Sequence, residues 1–277
     1  MSTKLSDRKE VMTHTTNIDR PLRLERRESG LVVLTLASPP LNLFDRRMTD
    51  ELSAAVASLA GQEVRGLLIR ADGRVVSGGV DVHLFDALSP GQAAHLWTGL
   101  LVMINEIETL PAPTVFAAHG LTLTAAFEVA LACDLIAATP SASFGLVERV
   151  IGLTPSMGGS QRLAERAGSG RARELVLTGE LFAAEQLQEW GVVNRVYPED
   201  SFEEKSLELA TELAEGPTKA HAMTKHILRR FREGGVQAAD EAVRTDSVDL
   251  FATEDLQGAV RAFLEHGGPG HAEFAGR

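Results

Sequence analysis

The sequence has a single cysteine, Cys133, among 277 residues. One thiol cannot form an internal disulfide, and it excludes a metal site built from several cysteines. Cys133 is therefore predicted to be a small core residue in a protein of a reducing compartment. No apolar run approaches the length of a membrane span, and residues 1–20 lack the apolar segment of a signal peptide. We expect a flexible tail over 1–20 and a cytoplasmic protein.

Positive charge is also scarce. Lys and Arg number 27 against 38 Asp and Glu, which gives a formal net charge of -11. Nucleic acids and anionic membrane surfaces bind basic surfaces, so neither is expected as a partner. Sequence signatures of a nucleophile elbow, a phosphate-binding Walker loop, a zinc protease or a dinucleotide fold are absent as well. The hydrophobic fraction of 44% is enough for a substantial core.

Glu128 lies in a stretch where burial of a charged group is energetically unfavourable. Glu128 is the only charged residue in the apolar and small-residue stretch 121–133. Burying a carboxylate there costs several kcal/mol unless it is paired, hydrogen-bonded or protonated. The alternative is that Glu128 belongs to the exposed stripe of a surface helix, but the apolar neighbours on both sides of Glu128 make this position less favourable. Glu128 is therefore a candidate for acid–base chemistry.

A second glutamate follows twenty positions later. Glu148 also has apolar neighbours, although Arg149 beside it could form a surface ion pair with it. Two carboxyl groups in apolar surroundings suit general acid–base catalysis, because burial and mutual repulsion raise one pKa toward neutrality. The pair Glu128 and Glu148 is our first hypothesis for a catalytic site.

Two loops could donate hydrogen bonds to a ligand. Residues 71–81 contain Gly78-Gly79, whose backbone can approach a ligand closely, although a plain glycine turn is the commoner interpretation. Residues 117–125 lead into the predicted Glu128 helix, where free N–H groups favour negative charge. One donor from each loop would form an oxyanion hole. His119 is predicted to stabilise the turn rather than to act as a base.

The hydrophobic periodicity predicts alternating strands and helices. Strands are expected at 22–25, 31–36, 66–70, 114–118 and 192–197, with a hairpin at Ser29-Gly30. Helices are expected at 48–60, 93–109, 158–167, 172–178 and 183–190, besides the Glu128 helix. After Gly216-Pro217 only helical periodicity remains, at 219–232, 236–250 and 253–265. We therefore predict a core domain over 21–215 and a helical region over 216–277.

Colinear segments over about 22–263 resemble the enoyl-CoA hydratase/isomerase (crotonase) superfamily. The resemblance depends on the order of eight stretches: Pro40-Leu-Asn-Leu, Ser77-Gly-Gly-Val-Asp81, Leu110-Pro-Ala-Pro113, His119 through Asp134, Phe144-Gly-Leu-Val-Glu148, Gly152-Leu-Thr-Pro155, Gly158-Gly-Ser-Gln-Arg-Leu163, and Leu177-Thr-Gly-Glu180 through Gly191-Val-Val. It implies an α/β fold, a crotonase-like spiral of β-β-α units, with a helical C-terminal trimerisation region. A homo-trimer, or a hexamer made of two trimers, is implied as well.

The resemblance also implies an acyl-CoA thioester substrate, with no metal and no redox cofactor. Glu128 matches the base that activates water and Glu148 the acid that protonates the α-carbon, while the N–H groups of Gly78 and Ala125 match the oxyanion donors. The surrounding loop is expected to contact the substrate through Ser77, Gly78, Val80, Asp81 and Val82. The implied reaction is hydration of trans-2-enoyl-CoA to 3-hydroxyacyl-CoA.

Departures from the family pattern keep alternatives open. The chain has Thr124-Ala125-Ala126 where the family usually has a glycine run, and it has only His266 where a basic residue often helps to hold the CoA phosphates. An enoyl-CoA double-bond isomerase, which commonly needs one glutamate, is the alternative within this fold. A weakly active or non-catalytic acyl-CoA-binding protein is the alternative outside catalysis. A peptidase is disfavoured because no His/Asp order surrounds Ser77.

Overall fold

A computed structural model describes residues 20–277, so the predicted tail over 1–20 lies outside the described residues except for Arg20. The described part of the chain contains nine strands: β1 (Leu22–Arg26), β2 (Leu31–Leu36), β3 (Gly66–Ala71), β4 (Thr114–Ala118), β5 (Thr122–Leu123), β6 (Leu135–Ala138), β7 (Ser143–Gly145), β8 (Phe182–Ala183) and β9 (Arg195–Val196). Most are short and buried, as expected for the interior of a layered α/β fold.

The described residues also form nine α-helices and three 3₁₀ helices. The α-helices are α1 (Arg46–Leu59), α2 (Pro90–Thr109), α3 (Ala125–Ala132), α4 (Gly159–Ala167), α5 (Ser169–Thr178), α6 (Ala184–Glu189), α7 (Phe202–Glu215), α8 (Thr218–Thr245) and α9 (Glu254–His266). The 3₁₀ helices are Val82–Phe85, Glu148–Ile151 and Ser247–Ala252. No helix within 20–277 is long and apolar enough to cross a bilayer.

The strands form two sheets. The larger has the order β1-β2-β3-β4-β6-β9, in which the β1–β2 hairpin is antiparallel and every later pairing is parallel. The smaller has the order β5-β7-β8. Successive turns of chain add one strand to each sheet and one helix outside them, as in β4-β5-α3. The predicted α/β spiral of strand-strand-helix units is confirmed.

Isolated bridges continue the smaller sheet toward the N-terminal turns of the spiral. Phe44 pairs with Val80, and Ser77 pairs with Thr122 of β5, both in parallel register. The loop after β3 is therefore fixed between the segment after β2 and the segment that precedes α3. This layer brings together loops that are far apart in the sequence.

The apolar core fills both sides of the larger sheet. One side packs against α1, α2 and α3 through side chains such as Leu52, Ile104 and Phe127, all fully buried. The other side is covered by α7, where Phe202, Ala210 and Ala214 meet β2, β3 and β4. Parallel strands covered on both faces read as continuous apolar runs, which is why the sequence predicts β2, β3 and β4 well.

Three sequence-based expectations need correction. The strand predicted over 192–197 is reduced to β9, because the N–H groups of Val192 and Val193 both donate to Leu187 O and close the turn after α6. Helix α7 was not predicted. Its buried residues recur every four positions, but they include the small residues Ser206 and Ala210, so the hydrophobic periodicity is weak in the sequence. The helix predicted over 236–250 ends at Thr245, and a 3₁₀ helix follows.

The long helix α8 is interrupted where the sequence predicts two helices. Gly234 and Gly235 have non-helical backbone angles, and the φ of Gly235 is +69°. Before this interruption Lys225 Nζ donates to Asp134 Oδ2 at 2.8 Å, and Arg232 forms ion pairs with Glu108 and Glu165. These contacts join α8 to the ends of α2, α3 and α4.

Candidate functional site

Glu128 lies inside the molecule on α3, a helix in which every residue is buried. Its side chain is 2% exposed, so the exposed-stripe interpretation is wrong. One carboxylate oxygen, Oε1, accepts hydrogen bonds from Met157 N at 2.9 Å and from Gly159 N at 2.8 Å. These backbone donors fix the orientation of the carboxyl group.

The close approach of α4 to Glu128 requires glycine at 159. A Cβ placed on Gly159 would lie 2.7 Å from Glu128 Cγ and 3.0 Å from Oε1, well inside contact distance. The absence of a side chain therefore lets the first turn of α4 present its N–H group, where free amide groups favour a carboxylate. The sequence motif around Gly158-Gly159 belongs to the site through this contact.

Glu148 begins the 3₁₀ helix that follows β7. Both of its carboxylate oxygens are buried, and neither has a hydrogen-bond partner among residues 20–277. The ion pair with Arg149 does not form, because that guanidinium donates to Thr178 O instead. A buried carboxyl group without a donor is costly as an anion, which favours its protonated form.

Both glutamates have raised pKa values. Burial raises the pKa of Glu128 to about 8, with a further contribution from the charge of Glu148, although the N–H groups of Gly159 and Met157 oppose the shift. Burial raises the pKa of Glu148 to about 7. Near neutral pH these shifts favour the protonated form of both carboxyl groups over the form they take in water.

A cavity joins the two glutamates. Its free space is about 40 Å³, enough for water. Apart from Glu128 and Glu148 its lining is mostly apolar, with contributions from α1, α2, α3 and the loops around them: Phe44, Thr49, Val80, Leu84, Phe85, Leu96, Trp97, Leu100, Ala125, Leu153, Thr154, Ser156 and Met157. Such walls exclude bulk water and strengthen electrostatic effects within.

The Gly78 N–H group is not available to a ligand in this structure. It donates to Leu41 O at 2.8 Å, so the expected oxyanion donor at Gly78 is engaged within the fold. Gly78 also does not line the cavity, whereas Val80, two residues later, does. The sequence-based assignment of the first donor to Gly78 is therefore corrected, because its hydrogen bond is already made.

Val80 and Ala125 have the free donors instead. In the parallel bridge to Phe44, Gly79 O and Asp81 N make the hydrogen bonds, which leaves the Val80 N–H group without an acceptor in the described chain. Ala125 is the first residue of α3, and its N–H group likewise has no backbone acceptor among residues 20–277. Both residues line the cavity that contains the glutamates.

Thr124 is held in strained backbone between these donors. Its φ of 45° and ψ of -116° are unfavourable for a β-branched residue, and its buried Oγ1 has no partner in the described residues. The neighbouring loop accommodates it through Gly79, whose added Cβ would lie 2.7 Å from Thr124 Oγ1. The departure from the family glycine run is thus accommodated by a glycine on the other loop.

The remaining candidates of the Ser77 loop lie elsewhere. Ser77 is fully buried, and its Oγ donates to Asn42 O at 2.8 Å. Asp81 caps the 3₁₀ helix Val82–Phe85 by accepting from His83 N at 3.0 Å, and Val82 is exposed. None of these three lines the cavity.

Two further interpretations agree with the structure. His119 Nε2 lies 2.9 Å from Gly73 O, so this histidine joins two loops as predicted. Cys133 is a buried free thiol, and burial raises its pKa to about 12.

Within residues 20–277 no three side chains of His, Cys, Asp and Glu are arranged to hold a metal ion.

Sequence reasoning did not identify the backbone donors of Met157 and Gly159 or the apolar wall of Phe85 and Trp97. The rings of Phe85 and Trp97 meet edge to face, with 5.7 Å between their centroids. The spacing of Leu96, Trp97 and Leu100 on α2 indicated a buried face, but periodicity alone could not tell a core face from a cavity wall.

Comparison with known proteins identifies the family of the chain. The family model described as Enoyl-CoA hydratase/isomerase matches residues 26–273. The chain belongs to the enoyl-CoA hydratase/isomerase family. It is 31% identical to the 2,3-dehydroadipyl-CoA hydratase of Escherichia coli over 256 residues, which cover 91% of this chain and 97% of that protein.

Other relatives extend the comparison. The Carnitinyl-CoA dehydratase of Salmonella typhimurium is 30% identical over 251 residues, covering 88% of this chain and 95% of the relative. Among solved structures, a putative enoyl-CoA hydratase from Streptomyces coelicolor superposes with a TM-score of 0.87 at 26% identity, covering 99% of this chain and all of that one. The crotonase fold expected from the sequence is confirmed by these matches.

The raised pKa of Glu148 predicts a pH-dependent stability. Between pH 4.5 and about 7 the folded chain retains a proton that the unfolded chain has released, so Glu148 lowers stability as the pH rises through this window. Glu148→Gln should therefore stabilise the protein by up to about 3 kcal/mol at pH 8 and by little at pH 4.5. Urea unfolding at both pH values measures this difference.

The exposed Glu189 provides the matched control. Glu189→Gln replaces the same carboxyl group on the surface of α6 and should change stability by less than about 0.5 kcal/mol at either pH. An unchanged or lower stability of Glu148→Gln at pH 8 would contradict the cost of ionising Glu148 inside the cavity.

Proposed function

We propose that this protein is an acyl-CoA hydro-lyase that adds water to trans-2-enoyl-CoA and forms 3-hydroxyacyl-CoA. One observation carries the proposal: two carboxyl groups of raised pKa, Glu128 and Glu148, face one cavity beside the free N–H groups of Val80 and Ala125. The names of the relatives support a hydratase or dehydratase reaction. An acyl-CoA thioester as the substrate follows from the family.

The N–H groups of Val80 and Ala125 stabilise the reaction through the thioester carbonyl. When water adds to the β-carbon, the electron pair of the double bond moves toward the carbonyl and places negative charge on its oxygen. Two N–H donors directed at that oxygen stabilise the enolate more than the substrate, which lowers the barrier. Because the donors belong to the backbone, their position is fixed by the pairing of the two loops.

The glutamates move the protons. We assign the base to Glu128, because the two N–H groups on Oε1 stabilise its carboxylate and leave Oε2 to accept a proton from water. Glu148 accepts no hydrogen bond from residues 20–277 and is assigned as the acid that protonates the α-carbon. The pKa of Glu128 is about 8 even with these hydrogen bonds, so Glu128 must lose its proton before it acts as the base, and the family resemblance supports this assignment. One proton is taken and one is given, so the addition balances.

A double-bond isomerase would move a proton without consuming water. Two carboxyl groups that line one cavity with room for water favour hydration over this alternative. Turnover of trans-2-hexenoyl-CoA in ¹⁸O-labelled water tests the difference. Incorporation of ¹⁸O at the β-carbon supports the hydratase, and a shifted double bond without ¹⁸O supports the isomerase.

Glu128→Gln and Glu148→Gln should each lower kcat for hydration by at least about 100-fold, since each removes a positioned proton-transfer group. The double variant should be little slower than either single variant, because the two groups act in one step. Stopped-flow absorbance of the enoyl thioester measures these rates, with Glu189→Gln as the control of unchanged rate. Near-normal turnover of both single variants would exclude the two-glutamate mechanism.

Val80→Pro should abolish turnover because proline has no N–H group to donate. Val80→Ala keeps the donor and is the matched control, with kcat expected within about tenfold of the original protein. Calorimetric binding of a saturated acyl-CoA and a circular dichroism spectrum establish that the proline variant is folded and competent to bind. If that folded variant hydrates the thioester at a normal rate, no oxyanion depends on this donor.

We also propose a homo-trimer, or a hexamer of two trimers, in which residues 216–277 make contacts between subunits. Exposed apolar side chains of this region support the proposal, among them Phe251, 69% exposed, and Leu264, 75% exposed. Phe251→Ser with Leu264→Ser should shift the mass measured by light scattering toward the monomer, and Glu241→Gln on α8 should not. A monomeric original protein would contradict the proposal.

A further inference from the structure

The wall of the cavity beyond the two glutamates is mostly apolar. Among the cavity-lining residues of the described chain there is no Lys, Arg or His. The 3₁₀ helix Val82–Phe85 contributes Leu84 and Phe85, and α2 contributes Leu96, Trp97 and Leu100. The three hydroxyl-bearing residues Thr49, Thr154 and Ser156 are the other polar side chains of the lining, and the Ser156 hydroxyl donates to Thr154 O at 2.8 Å.

Cations near the cavity are directed elsewhere. The positive charge of Arg162 acts on Glu128, but its guanidinium donates to Asn105 and Glu108 and does not line the cavity. His83 precedes Leu84, is exposed, and pairs with Asp81 at 2.6 Å. A negative group bound within the cavity would therefore meet two acidic side chains and no cationic side chain among the lining residues of 20–277.

On the proposed function, the position of the acyl group follows from the reacting atoms. The thioester oxygen must reach the N–H groups of Val80 and Ala125, and the α- and β-carbons must reach the two glutamates. The rest of the acyl group then extends along the remaining lining, which is the apolar wall of α2 and the 3₁₀ helix Val82–Phe85. This wall receives whatever is attached to the β-carbon.

We propose that the protein selects enoyl-CoA substrates whose acyl group is uncharged and apolar, and that it rejects acyl groups ending in a carboxylate. This selection separates it from its relative named 2,3-dehydroadipyl-CoA hydratase, whose substrate name denotes a six-carbon dicarboxylic acyl group. In such a group the free carboxyl carbon lies three bonds beyond the β-carbon, a distance of roughly 4 Å from standard bond lengths.

At that distance the carboxylate cannot leave the neighbourhood of the reacting atoms. It would lose its hydration against Leu100, Trp97 and Phe85 and would be repelled by the glutamate that carries the negative charge of the pair. A carboxylate transferred into an apolar site without a partner is strongly disfavoured, whereas a propyl group of similar size gains from burial. The inference concerns this terminal group and rests on the proposed function only for the placement of the β-carbon.

The experiment compares two thioesters of equal chain length. Trans-2-hexenoyl-CoA and 2,3-dehydroadipyl-CoA share the CoA moiety and six acyl carbons, so their difference isolates the terminal carboxylate. We expect kcat/KM to be at least about 100-fold higher for hexenoyl-CoA. Equal values, within about threefold, would overturn the inference while leaving the proposed hydratase intact.

A pair of variants tests the cause. Trp97→Lys adds a cation to the wall and should reduce the preference for hexenoyl-CoA by at least about tenfold, whereas Trp97→Met, of similar length without charge, should leave it nearly unchanged. An equal effect of both variants would assign the preference to the size of Trp97 and would contradict selection by charge. Unfolding curves verify that both variants are folded.

Binding separates this inference from the proposed function. Calorimetry with hexanoyl-CoA and adipyl-CoA, the saturated analogues, reports on the wall without any reaction. If neither enoyl thioester is hydrated but hexanoyl-CoA binds at least about tenfold more tightly, the hydratase proposal fails and the selective wall stands. If the two analogues bind equally, charge selection by the wall fails whatever the reaction.

Discussion

The burial of Glu128 is the constraint on which the site depends. Its carboxyl group lies among apolar residues and is retained by the N–H groups of Met157 and Gly159, which come from a later turn of the spiral. Gly159 can approach the carboxyl group this closely only because it has no side chain. The same low-polarity surroundings raise the pKa of Glu128 and of Glu148, so the features that make the site reactive also reduce stability above pH 4.5.

The layered spiral explains why two loops can form one donor pair. Each turn of chain contributes a short segment to the smaller sheet, and the bridges from Phe44 to Val80 and from Ser77 to Thr122 fix the spacing of these segments. In the parallel bridge to Phe44 the hydrogen bonds involve Gly79 O and Asp81 N, so the Val80 N–H group has no acceptor among residues 20–277, and Leu41 O separately engages the N–H group of Gly78. Thr124 has an unfavourable φ of 45°, and its side chain lies against Gly79 of the neighbouring loop, where a larger residue would collide with it.

The C-terminal region contacts the core through charge rather than through apolar packing alone. Glu108 lies between Arg162 and Arg232; burial opposes its ionisation, but the hydrogen bonds and charges of the two guanidinium groups outweigh burial and hold its pKa below the usual value. Such a partly buried pair contributes little net stability compared with an apolar contact, but it fixes the position of α8 against α2 and α4. Several large apolar side chains of α8 and α9 are exposed, among them Phe231 and Leu264.

The sequence by itself determined the buried strands β2, β3 and β4 and the candidacy of Glu128, because continuous apolar runs and a lone charge among apolar residues are visible in one dimension. The spiral fold was implied by the resemblance of colinear segments to the family. Only the tertiary structure decided which N–H group is free. Gly78 and Val80 are two residues apart and equally plausible donors in the sequence, but Leu41 O, from another turn, accepts from Gly78 alone. Likewise Arg149 is adjacent to Glu148 in sequence, and the fold directs it to Thr178. Hydrogen bonds between distant segments depend on register and distance, which local patterns do not encode.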